Sequence, residues 1–156
     1  MAAPPPSDPS TWKLPRLRID RDGIWHHEDE EVTHAGILAS LWEGLQRDAG
    51  GHHFRIGPVR VPVEVDDVPF IVVRAEPDGE GLAVTLNDGT REALAPDTLW
   101  IGGGEAPYCV VKGGRFDARL SRAAAYQLLA HMSEDAAGGG TVLTLGGRRW
   151  PVPRRA

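Results

Sequence analysis

Residues 59–73, VRVPVEVDDVPFIVV, decide the fold class of this chain. In the first half of the stretch, valines alternate with polar residues, which is the period-two pattern of a strand with one buried face. The alternation breaks at residues 66–69 and gives way to the unbroken apolar run of residues 70–73. The stretch therefore predicts two strands that meet at a corner, with Asp66 and Asp67 at that corner.

Strand and helix patterns continue toward the N-terminus. Residues 20–23 (DRDG) lie between apolar stretches and predict a tight hairpin, because an Asp-Gly pair favours the required turn. Apolar residues then recur at helical spacing over residues 37–45, after Thr33 as a candidate N-cap and before Gly50 and Gly51 as a stop. Pro62 inside the alternating strand indicates an edge strand or a bulge.

The second half of the chain has a similar order. Gly-bounded hairpins precede Ser121, which is predicted to cap a second helix that extends to Met132 and ends at residues 138–140. A final hairpin closes the chain at residues 142–152. Self-similarity of this kind predicts duplication of one supersecondary unit, although glycine-bounded hairpins are common enough for the match to arise by chance.

We therefore predict an α+β protein made of two related β-β-α-β-β lobes that pack together. Residues 1–11 are predicted to be a disordered Pro-rich arm, residues 12–75 the N-terminal lobe and residues 76–153 the C-terminal lobe.

Composition limits the class of partner. The 156 residues carry a net charge of −5 without a basic stripe, which argues against nucleic acid. No apolar run approaches the roughly 20 residues of a membrane span, and the first residues lack the pattern of a secretory signal. The single Cys109 excludes an internal disulfide and is expected to be a buried thiol. We expect a cytoplasmic protein, and the sequence leaves homo-oligomerisation open.

Six short motifs occur in an order that identifies a family: residues 22–26 (DGIWH), 58–59 (PV), 65–70 (VDDVPF), 108–111 (YCVV), 116–122 (FDARLSR, followed by Tyr126 and Leu128) and 145–147 (LGG). In this order the chain resembles the bacterial DUF1285 family, whose function is not established. The resemblance extends from Trp12 to Val152.

The resemblance implies a duplicated α+β core whose second half is loosely similar to pleckstrin-homology folds. It also implies a cleft between the halves that binds a nucleotide-like ligand, with a role in signalling. The chain departs from the family pattern at two places. Arg60 occupies a position where the family has an acidic residue, and Val65-Asp66-Asp67 occupies the positions where the family has Val-Glu-Asp.

Rings, arginines and acids supply the candidate ligand-binding residues. An aromatic ring could stack on a base and an arginine could bind a phosphate. The predicted ligand-binding residues are Trp25, His26, Arg60, Asp66, Asp67, Phe70, Tyr108 and Arg119. Asp66 and Asp67 have an alternative interpretation as turn formers, since an Asp side chain accepts hydrogen bonds from backbone N–H groups.

No metal or cofactor is predicted, because neither an HExxH motif nor a P-loop occurs and adjacent histidines point to opposite faces of a strand. The leading hypothesis is a non-enzymatic protein that binds a small, nucleotide-like molecule, with no catalytic residue. Two alternatives stay open. One is a hydrolase-type enzyme that uses Asp66 or Asp67 with a nearby histidine. The other is a protein-interaction module that uses a strand edge or the Pro-rich arm.

Overall fold

The structure is a computed structural model that describes residues 14–155. The predicted Pro-rich arm at residues 1–11 lies outside the described residues. The chain divides into two compact units between Asp67 and Val68. We call the residues up to Asp67 the N-terminal unit and the residues from Val68 the C-terminal unit.

The N-terminal unit is built on one six-stranded sheet. Strand β1 pairs parallel with β6, and the remaining pairs are antiparallel, in the order β3-β2-β1-β6-β5-β4. The elements are β1 (Leu17–Ile19), β2 (Trp25–His27), β3 (Glu30–Glu31), α1 (Ala35–Gly44), β4 (Leu45–Asp48), β5 (Gly51–Ile56) and β6 (Val59–Val65). Alternate residues of β1 and β6 are buried, as the valine alternation predicts.

Helix α1 begins and ends differently from the prediction. Its N-cap is His34 instead of Thr33, and the His34 Nδ1 accepts a hydrogen bond of 3.2 Å from the N–H of Ile37. The helix ends at Gly44, because the next residues form β4 and pair with β5. Gly50 lies in the turn of this hairpin and Gly51 is the first residue of β5, so neither ends the helix.

Strand β6 is central in its sheet, so the prediction of an edge strand at Pro62 is wrong for the strand as a whole. Pro62 pairs with His53 of β5, whereas the pairing with β1 begins one residue later, at Val63. The proline therefore lies where β6 has a hydrogen-bonded neighbour on one side only, which tolerates its missing N–H.

The C-terminal unit contains a second six-stranded sheet, in the order β10-β11-β12-β7-β8-β9, and a three-stranded sheet, β13-β14-β15. Strands β12 and β7 are parallel, and the other pairs are antiparallel. The elements are β7 (Phe70–Asp78), β8 (Gly81–Leu86), β9 (Arg91–Ala93), β10 (Trp100–Ile101), β11 (Pro107–Val111), β12 (Phe116–Leu120), α2 (Arg122–Leu129), β13 (Met132–Glu134), β14 (Thr141–Leu145) and β15 (Arg148–Val152).

The predicted lobe boundary after Ala75 differs from the observed division before Val68. Strand β7 runs from Phe70 to Asp78 and pairs with β8 and β12, both of which belong to the C-terminal unit. The apolar run of residues 70–73 is thus part of the second sheet.

Helix α2 is capped as predicted, since the Ser121 Oγ accepts a hydrogen bond of 3.1 Å from the N–H of Ala124. It ends at Leu129, and Met132 lies in β13. Residues 138–140 fall in the connection between β13 and β14. Each helix is therefore followed by three antiparallel strands and not by two.

The α+β class is confirmed, with strands dominating and few helices. Neither helix in residues 14–155 is long and apolar enough to cross a membrane.

Candidate functional site

A cavity of about 540 Å³ lies within the C-terminal unit, beside α2. We call it the α2 cavity. One side of α2, the edge strands β10 and β13, and the residues after β15 form its wall. Its lining residues are Ile101, Glu105, Pro107, Arg122, Ala125, Tyr126, Leu129, Met132, Ser133, Glu134, Thr141 and Arg154.

Helix α2 presents two faces. Ala124 and Leu128 are completely buried and form the face that packs in the core. Arg122, Tyr126 and Leu129 follow one another at helical spacing on the side that lines the cavity. Tyr126 is 78% exposed and Leu129 is 60% exposed. An amphipathic helix usually exposes polar residues on its free face, so these apolar side chains mark a surface suited to a ligand.

The residues after β15 place a guanidinium at the rim of the α2 cavity. The N–H of Ile101 donates to the carbonyl of Pro153, and the N–H of Arg155 donates to the carbonyl of Ile101, both at 2.8 Å. The segment is therefore attached to the edge of β10. Arg154, between the two bonds, lines the cavity and donates from one nitrogen to both carboxylate oxygens of Glu105, at 2.5 and 2.6 Å.

An aromatic stack supports the same edge. The guanidinium of Arg155 lies 4.5 Å from the ring centroid of Trp100. Trp100 in turn stacks on Tyr108, with centroids 5.2 Å apart and ring planes 10° apart. Both rings are buried together with Val68 in one apolar cluster. The stack orients the segment that carries Arg154.

The charged residues that line the cavity, Glu105, Arg122, Glu134 and Arg154, differ in availability. Arg154 is paired with Glu105, and the hydrogen bond and charge of Arg154 lower the pKa of the Glu105 carboxyl. Arg122 is exposed, and no ion pair joins it to a carboxylate among residues 14–155. An anionic ligand can therefore bind Arg122 without displacing a protein carboxylate.

The predicted site residues of the N-terminal unit are placed in pairs along its sheet. His26 Nε2 lies 2.7 Å from Asp20 Oδ2, and Asp66 accepts a 2.7 Å bond from Arg18. Arg18 is the partner of His26 in the β1–β2 register, so the fold brings His26 and Asp66 to either side of Arg18. Trp25 is buried and packs edge-on against Trp42 at 5.4 Å.

Two further predicted residues also have partners within this unit. Asp67 lies 3.6 Å from Arg21. Arg60 donates a 2.9 Å bond to Asp48, at the β4–β5 turn. These contacts give Asp67 and Arg60 a structural role in the N-terminal unit.

The three predicted residues of the C-terminal unit lie in its six-stranded sheet. Phe70 is buried against Phe116, with centroids 5.3 Å apart, and Tyr108 is in the stack with Trp100. Arg119 is paired with Tyr108 on one side and with Ile71 on the other. None of the three lines the α2 cavity.

The hydrolase-type alternative requires a carboxylate beside a histidine. The structure supplies such a pair, but the carboxylate is Asp20 and not Asp66 or Asp67. Burial favours a higher pKa for Asp20, and hydrogen bonds from His26 and from the N–H groups of Ile24 and Asp22 outweigh it, so that its pKa is lowered. Asp20 therefore stays ionised and also forms the turn of the β1–β2 hairpin.

Two other chemistries find no support in the described residues. Burial raises the pKa of Cys109 to about 12, so its thiol is not a nucleophile at neutral pH. Within residues 14–155, no group of three or more His, Cys, Asp or Glu side chains could hold a metal ion.

Sequence reasoning missed Arg122, Tyr126 and Arg154. Tyr126 and Leu129 recur at helical spacing beside the buried Ala124 and Leu128, which was a usable signal of a second apolar face. Arg154 carried no such signal, because it reaches the cavity only through the attachment of residues 153–155 to β10.

Comparison with known proteins shows similarity in structure only. No protein-family model matches the chain, and no curated protein matches it. A DUF1285 family protein from Silicibacter pomeroyi DSS-3 is similar with a TM-score of 0.73 and 22% identity, over 97% of this chain and 89% of that chain. A DUF1285 family protein from Shewanella baltica OS155 is similar with a TM-score of 0.63 and 19% identity, over 75% of this chain and 92% of that chain. The predicted resemblance is thus confirmed at the level of the fold.

Proposed function

We propose that this protein is a non-enzymatic binding protein with a role in signalling, and that the α2 cavity holds a small nucleotide-like ligand. The observation that carries the proposal is an exposed tyrosine ring and an unpaired arginine on one face of one helix, beside a cavity of about 540 Å³. That volume lies within the range of about 300–1,000 Å³ that is usual for small-molecule sites.

The chemistry of the lining fits such a ligand. Tyr126 offers a flat ring for a base, and base–aromatic stacking contributes about 1–3 kcal/mol per base. Arg122 can bind a phosphate in a bidentate manner. Ser133 and Thr141 add hydroxyl groups for a sugar or a base edge.

The proposed site contains none of the eight ligand-binding residues predicted from the sequence. Trp25, Phe70 and Tyr108 are buried and offer little ring surface to a ligand. The polar side chains of His26, Arg60, Asp66 and Asp67 contact neighbours in the N-terminal unit.

Thermal denaturation of the full chain with a panel of nucleoside mono-, di- and triphosphates and cyclic nucleotides tests the proposal. A ligand at about 100 times its Kd stabilises by about 2.7 kcal/mol. For a chain of this size we expect Tm to rise by about 5–10 °C. Tyr126→Ala and Arg122→Gln should each remove most of the rise.

Arg74→Gln is the matched control, because Arg74 is an exposed arginine of the same unit that does not line the cavity. The Arg74→Gln variant should show the same ligand-induced rise in Tm as the unaltered protein. If no nucleotide stabilises the unaltered protein at millimolar concentration, the proposed function is wrong.

We also propose that the two units derive from one duplicated element and that the C-terminal unit is loosely pleckstrin-homology-like. The recurring order of a hairpin, a helix and three antiparallel strands supports the duplication. The lone buried thiol of Cys109 is compatible with a cytoplasmic location.

The partner that we propose is a small molecule, and not a nucleic acid or a membrane.

A further inference from the structure

A second cavity, of about 460 Å³, lies within the N-terminal unit beside α1. We call it the α1 cavity. Its apolar part consists of the buried Leu17 and Leu41, the ring of Phe54, and Ile37 and Ile56 at the mouth. Ile37 is 52% exposed and Ile56 is 48% exposed, although both are large aliphatic side chains. An apolar ligand placed between them would remove this surface from water.

The charged residues of the α1 cavity have one sign. Glu30 and Glu31 of β3 line it, whereas no lysine or arginine does. His27 and His34 also line it, and the His34 Nδ1 accepts the hydrogen bond from Ile37 at the start of α1. Counting its carboxylates, lysines and arginines, the lining is negative.

Glu30 and Glu31 differ from the acids in the neighbouring turns. Asp20 binds His26, Asp66 binds Arg18, and Asp29 lies 3.2 Å from Arg16. No ion pair among residues 14–155 joins Glu30 or Glu31 to a cation. A cavity with an apolar floor and two unpaired carboxylates complements a ligand with an apolar body and one positive charge.

We propose that the α1 cavity binds a small amphiphilic organic ammonium. The ammonium lies beside β3, in the negative field of Glu30 and Glu31, and the hydrocarbon body lies between Ile37, Ile56 and Phe54. The site is independent of the α2 cavity, which lies in the other unit.

Titration of the full chain with n-hexylammonium, followed by backbone-amide NMR, tests this proposal. We expect saturable shifts centred on α1, β3 and β5 of the N-terminal unit, and salt should weaken the binding as expected for an ion pair near the surface. n-Hexanol should bind more weakly and hexanoate should not bind. Replacing both acids, as Glu30→Gln with Glu31→Gln, should weaken binding about fivefold.

Two control variants separate this site from general effects of charge and hydrophobicity. Glu43→Gln with Glu80→Gln removes the same charge away from the cavity and should leave the affinity unchanged. Ile56→Ser should weaken binding, whereas Leu129→Ser, at an exposed leucine of the other unit, should not.

Any of three outcomes would overturn the proposal. The first is that hexanoate binds as well as hexylammonium, and the second is that the double glutamine variant keeps full affinity. The third is that the amine fails to bind while Ile56→Ser changes the oligomeric state. The last result would identify the mouth as a surface for self-association.

Discussion

Replacing Asp88 by asparagine is expected to destabilise the protein by about 2 kcal/mol, because it leaves the partly buried ammonium of Lys112 without its counter-charge. The Asp88 side chain is 8% exposed and that of Lys112 is 19% exposed, and their charged atoms lie 2.7 Å apart. Urea denaturation measures the loss as a lower midpoint with an unchanged slope.

The size of this effect follows from the network around the pair. Asp88 also accepts hydrogen bonds from the N–H and the hydroxyl of Thr90. Lys112 Nζ donates to the same hydroxyl and lies 5.5 Å from the ring centroid of Phe70. The N–H of Lys112 donates to the carboxylate of Glu92. The network therefore joins the turns of two hairpins and one core ring.

The sign of the pH dependence follows from the pKa of Asp88. Burial alone would raise that pKa, and the hydrogen bonds of Lys112 and Thr90 outweigh it, so that the pKa lies below its ordinary value of 3.8. The stabilisation is complete above the unfolded value and is lost as the pH falls through the lower folded value. The difference between the original protein and the Asp88→Asn variant should therefore be constant near neutral pH and shrink in strong acid.

Asp78→Asn is the matched control, since Asp78 forms an exposed pair with Arg91 at 3.9 Å. This variant should change the stability by less than about 0.5 kcal/mol. Equal losses for both variants would contradict the role given to burial of the Asp88–Lys112 pair.

Gly102→Ala is expected to lower the free energy of unfolding by about 2 kcal/mol or more, because the added methyl group overpacks the stack of Trp100 and Tyr108. A Cβ at position 102 would lie 2.4 Å from a ring carbon of Tyr108, so the ring must move. The backbone of Gly102, with φ −94° and ψ −168°, is open to alanine. The penalty therefore comes from the contact with the ring alone, and near-UV circular dichroism should record the displaced aromatic stack.

The neighbouring glycine provides the comparison. A Cβ on Gly103 would have no atom within 4 Å, so Gly103→Ala should be nearly neutral. If Gly102→Ala is equally neutral, Tyr108 is not held in the stack as the structure shows.

Sequence patterns predicted most strands, because apolar and polar residues alternate along those strands and turn-forming residues lie at their ends. The hairpin at residues 20–23 and the cap at Ser121 are present as expected. Strands β4 and β13 were missed, because Leu45 and Met132 extend the helical spacing of the helices before them. Pairing with β5 and β14 determines their conformation, and such pairing is a tertiary effect that a local pattern cannot reveal.

The candidate site was harder to predict than the fold. Trp25, Phe70 and Tyr108 were selected as rings, but a sequence does not distinguish a buried ring from an exposed one, and all three are in the core. The Asp66–Arg18 pair joins residues that are 48 positions apart, so their mutual neutralisation depends on the parallel pairing of β1 and β6. Helical periodicity could have identified Tyr126 from the sequence. The position of Arg154 beside the cavity could not be identified in this way, because it depends on the attachment of residues 153–155 to β10.

The most direct test of the central claim is a backbone-amide NMR titration of the full chain with adenosine monophosphate. The proposed function predicts saturable shifts centred on Arg122, Tyr126 and Leu129 of α2, with further shifts in β13 and at Arg154. The absence of shifts at saturating nucleotide, or shifts confined to the N-terminal unit, would contradict the assignment of the α2 cavity as the nucleotide site.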